Sequence, residues 1–125
     1  MKYTFGLIGT GNMGGAIARA VSQTLKDGIL SDKSLEKAQE LAQELGFHAG
    51  SNQEAALESR YLFLGVKPHL MGGMLESIKA DLSSRTEAPI LVSMAAGLTI
   101  AQIQEMAGLD CPVIRIMPNT YEYRR

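Results

Sequence analysis

The stretch YTFGLIGTGNMG, Tyr3 to Gly14, decides how the rest of the chain reads. Tyr3 to Ile8 is short and apolar, which predicts a buried strand. Gly9, Gly11 and Gly14 follow it at the spacing G-x-G-x-x-G, after a strand and at the opening of a helix. Each glycine has its own reason. Gly9 permits the tight turn out of the strand, and Gly11 leaves the backbone bare where a pyrophosphate would approach. Gly14 lets the helix pack close to the sheet. Met13, Ile17, Val21 and Leu25 recur every fourth residue and predict the helix's apolar face, with Ala16 and Ala20 beside them. The first N–H groups of such a helix would point at a bound phosphate. The stretch therefore predicts a dinucleotide site. The competing reading is a close-packed turn with no ligand.

Composition narrows the class. A chain of 125 residues suits one domain with a sizeable core. Apolar content of 46% and charged content of 20% are those of a globular protein. A net charge of −1 gives no support for a nucleic-acid or anionic-membrane partner. Cys111 is the single cysteine, so an internal disulfide is excluded and a buried, inert thiol is expected. His48 and His69 stand 21 residues apart and predict no metal site. The sequence shows neither a signal-peptide pattern nor an apolar run of membrane-spanning length, so a cytoplasmic location is expected.

Beyond the first helix, Ile29 and Leu30 form a very short apolar segment ended by Ser31 and Asp32. Asp32 lies 21 residues past Gly11, near the distance at which an acid accepts hydrogen bonds from an adenosine ribose. It equally suits a cap for the next helix, as does Ser34. Ser31, Lys33 and Ser34 suit a 2′-phosphate, whereas Asp32 favours a free 2′-hydroxyl. Leu35 to Leu45 reads as a helix with Leu35, Ala38, Leu41, Ala42 and Leu45 inward and Gly46 as its stop. Phe47 to Ala49 reads as a short strand. Ser51 with Glu54 reads as a capping box for a helix through Glu58. Asn52 faces adenosine on one reading and caps a turn on the other.

Tyr61 to Val66 predicts a strand stopped by Lys67 and Pro68. Lys67 then sits at the carboxyl end of a parallel strand, where it faces a ligand or is a solvated loop charge. Met74, Leu75, Ile78 and Leu82 give the following helix its face. Ile90 to Met94 predicts a strand leading into Ala95, Ala96 and Gly97, small enough to admit a flat ring or to pack tightly on a helix. Thr99 and Gln102 form a second capping box, Ile100, Ile103 and Met106 a helix face, and Gly108 its end. Val113 to Met117 predicts a last strand stopped by Pro118, with Asn119 and Thr120 beyond. The fold class is thus α/β: a Rossmann-like, doubly wound, mostly parallel sheet with helices on both faces. It occupies residues 1–120, and residues 121–125 form a tail of uncertain origin.

Taken together, GLIGTGNMGGAIA, GVKP, SMAAGLTI and VIRIMPNT resemble the amino-terminal domain of pyrroline-5-carboxylate reductase, from about residue 4 to residue 120. The resemblance implies NADP or NAD as cofactor, with NADPH favoured. It implies a whole protein that reduces the imine 1-pyrroline-5-carboxylate to L-proline, assembled as a homo-oligomer. It places Gly9, Gly11, Asn12 and Met13, with Gly14 behind them, under the pyrophosphate. Ser31, Asp32 and Lys33 fall near the adenosine ribose and Asn52 near the adenosine. Val66, Lys67 and Pro68 line the cofactor cleft, and Ala95, Ala96, Gly97, Met117, Pro118 and Asn119 approach the nicotinamide side. No residue stands out as a catalytic acid; Lys67 and Asn119 are candidate positioners.

Three departures accompany the resemblance. The segment before Asp32 is shorter than is usual, Arg60 replaces a common acid, and Tyr121 follows Thr120 where another proline is usual. Because the helical domain of the family does not follow, the chain alone is expected to be a poor reductase. The alternatives are a non-catalytic dinucleotide-binding regulatory protein of the same descent and a 3-hydroxy acid dehydrogenase. SMAAG and RIMPNT argue against the latter.

Overall fold

The computed structural model describes residues 2–116; Met117, Pro118 and Asn119 lie outside them, as does the tail. Six strands form one sheet: β1 (Tyr3–Ile8), β2 (Gly28–Ser31), β3 (His48–Ala49), β4 (Ser59–Leu64), β5 (Ile90–Ser93) and β6 (Val113–Arg115). Helices α1 (Asn12–Val21), α2 (Leu35–Leu45), α3 (Asn52–Glu58), α4 (Pro68–Ser83) and α5 (Ile100–Ala107) alternate with them. The spatial order is β3-β2-β1-β4-β5-β6, and every pairing among the described strands is parallel. Chain order reverses between β1 and β4, which is the switch point of a doubly wound sheet.

Alternation along the strands divides the core between the two faces of the sheet. Ile29, Leu62, Leu64 and Leu91 pack with Ala55, Met71, Leu75, Ile78, Leu82 and Ile103 of α3, α4 and α5. Phe5, Leu7 and Leu30 pack on the other face with Ala18 of α1 and Leu41 and Ala42 of α2. Cys111 is buried, and burial pushes its thiol pKa up, which suits the inert role expected of it. Left-handed Gly46 and Gly108 end α2 and α5 as expected.

Several boundaries and faces differ from the sequence reading. Helix α1 ends at Val21, and its buried line is Gly14 and Ala18; Met13, Ala16 and Ala20 are exposed. Close approach selects small residues along the contact, so a search for large apolar side chains finds the neighbouring line. Ile17, Val21 and Leu25 pack only partly against the core. Leu35 at the start of α2 is exposed. Strand β2 is four residues long and wholly buried, a more regular element than its short apolar core suggests. Strand β4 spans Ser59–Leu64, so Gly65 and Val66 belong to the loop after it, although the Gly65 N–H still donates to the Ile8 carbonyl at 2.7 Å.

Candidate functional site

The switch point is built on three glycines in mutual contact. Gly9 turns the chain at φ +101°, and a Cβ there would lie 2.8 Å from the Gly65 carbonyl carbon. A Cβ on Gly14 would lie 2.0 Å from the Gly9 carbonyl oxygen, and one on Gly65 would lie 2.6 Å from it. The fold itself thus accounts for Gly9 and Gly14. It also requires Gly65, which the glycine pattern missed because it arrives from β4, far away in sequence. Gly11 is different. A Cβ there would meet no atom of the described residues within 4 Å, and its φ of −71° is open to any residue. Nothing among the described residues needs a glycine at position 11.

Gly11 is the N-cap of α1, so no side chain caps that helix, and its first turn holds no acid. Lys67 is the N-cap of α4, again without a side-chain cap, and Pro68 follows it in the first turn. Both helix starts open onto one cavity of about 310 Å³. Gly11, Asn12 and Met13 line it from α1, and Gly65, Val66, Lys67 and Pro68 from the loop after β4. Met94, Ala95 and Ala96 close it from the end of β5. Gly97 is not among the lining residues; it makes a left-handed turn at φ +84° ahead of α5. Among the described residues, Lys67 is the one titratable side chain in this lining. The arrangement offers free N–H donors, a cation and a small-residue wall, a donor set that fits a phosphate joined to a flat ring.

The end of β2 lies on the other side of the glycine loop. Ser31 is fully buried, and its hydroxyl donates to Asn52 Oδ1. Asp32 Oδ1 accepts from the Thr10 N–H and Oδ2 from the Ser34 N–H, both at 2.9 Å. Ser34 caps α2, so the helix-capping alternative falls to Ser34. Lys33 is exposed. A second cavity of about 490 Å³ runs from Thr10, Gly11 and Asn12 down the groove between α1 and α2. Arg19, Lys37, Glu40 and Glu44 line it, with Arg19 paired to Glu44, which raises the guanidinium pKa. Arg19 and Lys37 were not singled out from sequence, where each reads as an ordinary surface charge.

Comparison with known proteins assigns the chain to a family. The family model described as NADP oxidoreductase coenzyme F420-dependent matches residues 4–97. The chain is 35% identical over 121 residues to a pyrroline-5-carboxylate reductase of Corynebacterium melassecola, covering 94% of this chain and 45% of that one. It is 37% identical over 125 residues to the Escherichia coli enzyme of the same name, with 96% and 45% covered. A pyrroline-5-carboxylate reductase structure from Coxiella burnetii superimposes with a TM-score of 0.83 at 28% identity, over 96% of this chain and 45% of that one. The Plasmodium falciparum pyrroline carboxylate reductase with NADP bound gives 0.73 at 28% identity, over 95% and 44%. The chain thus spans a little under half the length of these relatives.

Proposed function

Because the chain belongs to the family described as NADP oxidoreductase coenzyme F420-dependent, we propose that it is the dinucleotide-binding part of a pyrroline-5-carboxylate reductase. The whole protein, on this reading, reduces 1-pyrroline-5-carboxylate to L-proline as a homo-oligomer. The observation that carries the dinucleotide site is the start of α1. It has no side-chain cap, no acid in its first turn, and at its head a glycine that no contact among the described residues requires.

The roles follow from chemistry. The α1 N–H groups receive the pyrophosphate, and the bare Gly11 lets it approach. Lys67 adds a positive charge at the cleft. Ala95 and Ala96 leave room for the nicotinamide ring. The bound cofactor, NADPH by preference or NADH, supplies the hydride. The protein aligns it and keeps water from its reactive face. Met117 and Asn119 would approach the nicotinamide side on the family resemblance alone; both lie outside the described residues.

Nicotinamide fluorescence on titration with the chain tests the site. Saturable binding of NADPH is expected, and Gly11→Val should remove it while the protein stays folded. Saturable binding unchanged by that substitution would reject the assignment.

A further inference from the structure

We infer that Asp32 is a positioning residue for the phosphate loop and does not read the adenosine ribose; this rests on the dinucleotide reading above. An acid at the end of β2 serves a ribose by turning its two oxygens outward to the sugar hydroxyls. Here both oxygens are engaged by backbone donors. Oδ1 accepts from Thr10 and Oδ2 from Ser34, each at 2.9 Å. Thr10 lies between the left-handed Gly9 and the N-cap Gly11. Gly9 is held in turn by the Ser31 carbonyl, which accepts from its N–H at 2.8 Å. Two successive loop amides are thus fastened to the end of β2, one by main chain and one by the Asp32 carboxylate. That fixes the direction from which α1 starts, and with it the N–H groups that meet a pyrophosphate. Both N–H dipoles also point at the carboxylate and offset part of its charge. The carboxylate keeps its negative charge, and the exposed Lys33 beside it in sequence sets a positive charge against it.

The two roles separate cleanly. A ribose reader supports NADH more than NADPH; a loop-positioning residue supports both alike. Dissociation constants for NADH and NADPH would be measured for the unaltered chain, Asp32→Ala and Asp32→Asn, each at a temperature where it is fully folded. Asp32→Ala should weaken both cofactors about tenfold, the scale of one lost charge-assisted hydrogen bond, and leave their ratio within about twofold. Asp32→Asn should recover part of the loss, because its amide oxygen still accepts one bond. Hydrogen exchange at the Thr10 amide should quicken in Asp32→Ala. A purely structural role would lower the melting temperature and leave the constants of the folded variants untouched. That result would overturn the inference, as would a selective loss of NADH. Binding of neither cofactor by the unaltered chain would overturn the function itself; a changed ratio sinks only the role of Asp32.

Discussion

The five helices of the described residues start at the same edge of the sheet, yet they start in two ways. Helices α2, α3 and α5 carry Ser34, Ser51 and Thr99 at their N-caps, and each accepts from a first-turn amide. Helices α1 and α4 carry Gly11 and Lys67 and have no such bond. The exceptions are not scattered. Helix α1 follows β1 and α4 follows β4, the neighbouring strands between which chain order reverses. Leaving a side-chain cap out costs a helix a few tenths of a kcal/mol where glycine stands at the N-cap, as in α1, and about 1 kcal/mol otherwise. That stability is given up at the two helix starts that open onto the 310 Å³ cavity. The difference separates the helix starts that the fold completes by itself from the two that, on the proposed function, are left for a ligand.

The glycines divide along the same line, and substitutions can test the division. The largest effect is expected at Gly14. A methyl there meets the Gly9 carbonyl oxygen at 2.0 Å, so Gly14→Ala should destabilise the chain by about 3 kcal/mol or more. Urea unfolding would show it; a loss below about 1 kcal/mol would mean the loop can shift and the contact is not fixed. Next in size is Thr99→Ala, which removes the bond that the Thr99 hydroxyl accepts from the Gln102 N–H and leaves the Thr99 N–H its Gln102 Oε1 acceptor. About 1 kcal/mol of stability should go, with NADPH affinity unchanged. A fall in affinity there would break the separation between the two kinds of helix start.

Much of this was legible in the sequence because it depends on local chemistry. The glycine turn after an apolar strand, the Thr99 box, the serine caps and the stops at Gly46 and Gly108 each involve residues a few positions apart. What could not be read depends on distant chain segments meeting. Gly65 matters because β4 brings it against Gly9 and Gly14. Asp32 had two readings, and neither foresaw that its carboxylate would be taken up by the Thr10 amide, 22 residues away. Lys37 comes to share a cavity with Gly11 only because α2 packs beside α1. The face of α1 was misplaced for a related reason: helix and loop approach so closely that glycine and alanine, not the larger residues, make the contact.

The most direct test gives α1 the cap it lacks. Gly11→Asp places a good N-cap and a negative charge at the start of the helix. Nothing among the described residues lies within 4 Å of its Cβ, and the backbone there needs no glycine. Melting temperature and NADPH titration would be measured on the same preparation. If α1 is kept open for phosphate, the variant should be as stable as the unaltered chain or more so, by a few tenths to about 1 kcal/mol, and saturable NADPH binding should vanish. A variant that gains the cap and still binds NADPH with unaltered affinity would contradict the account.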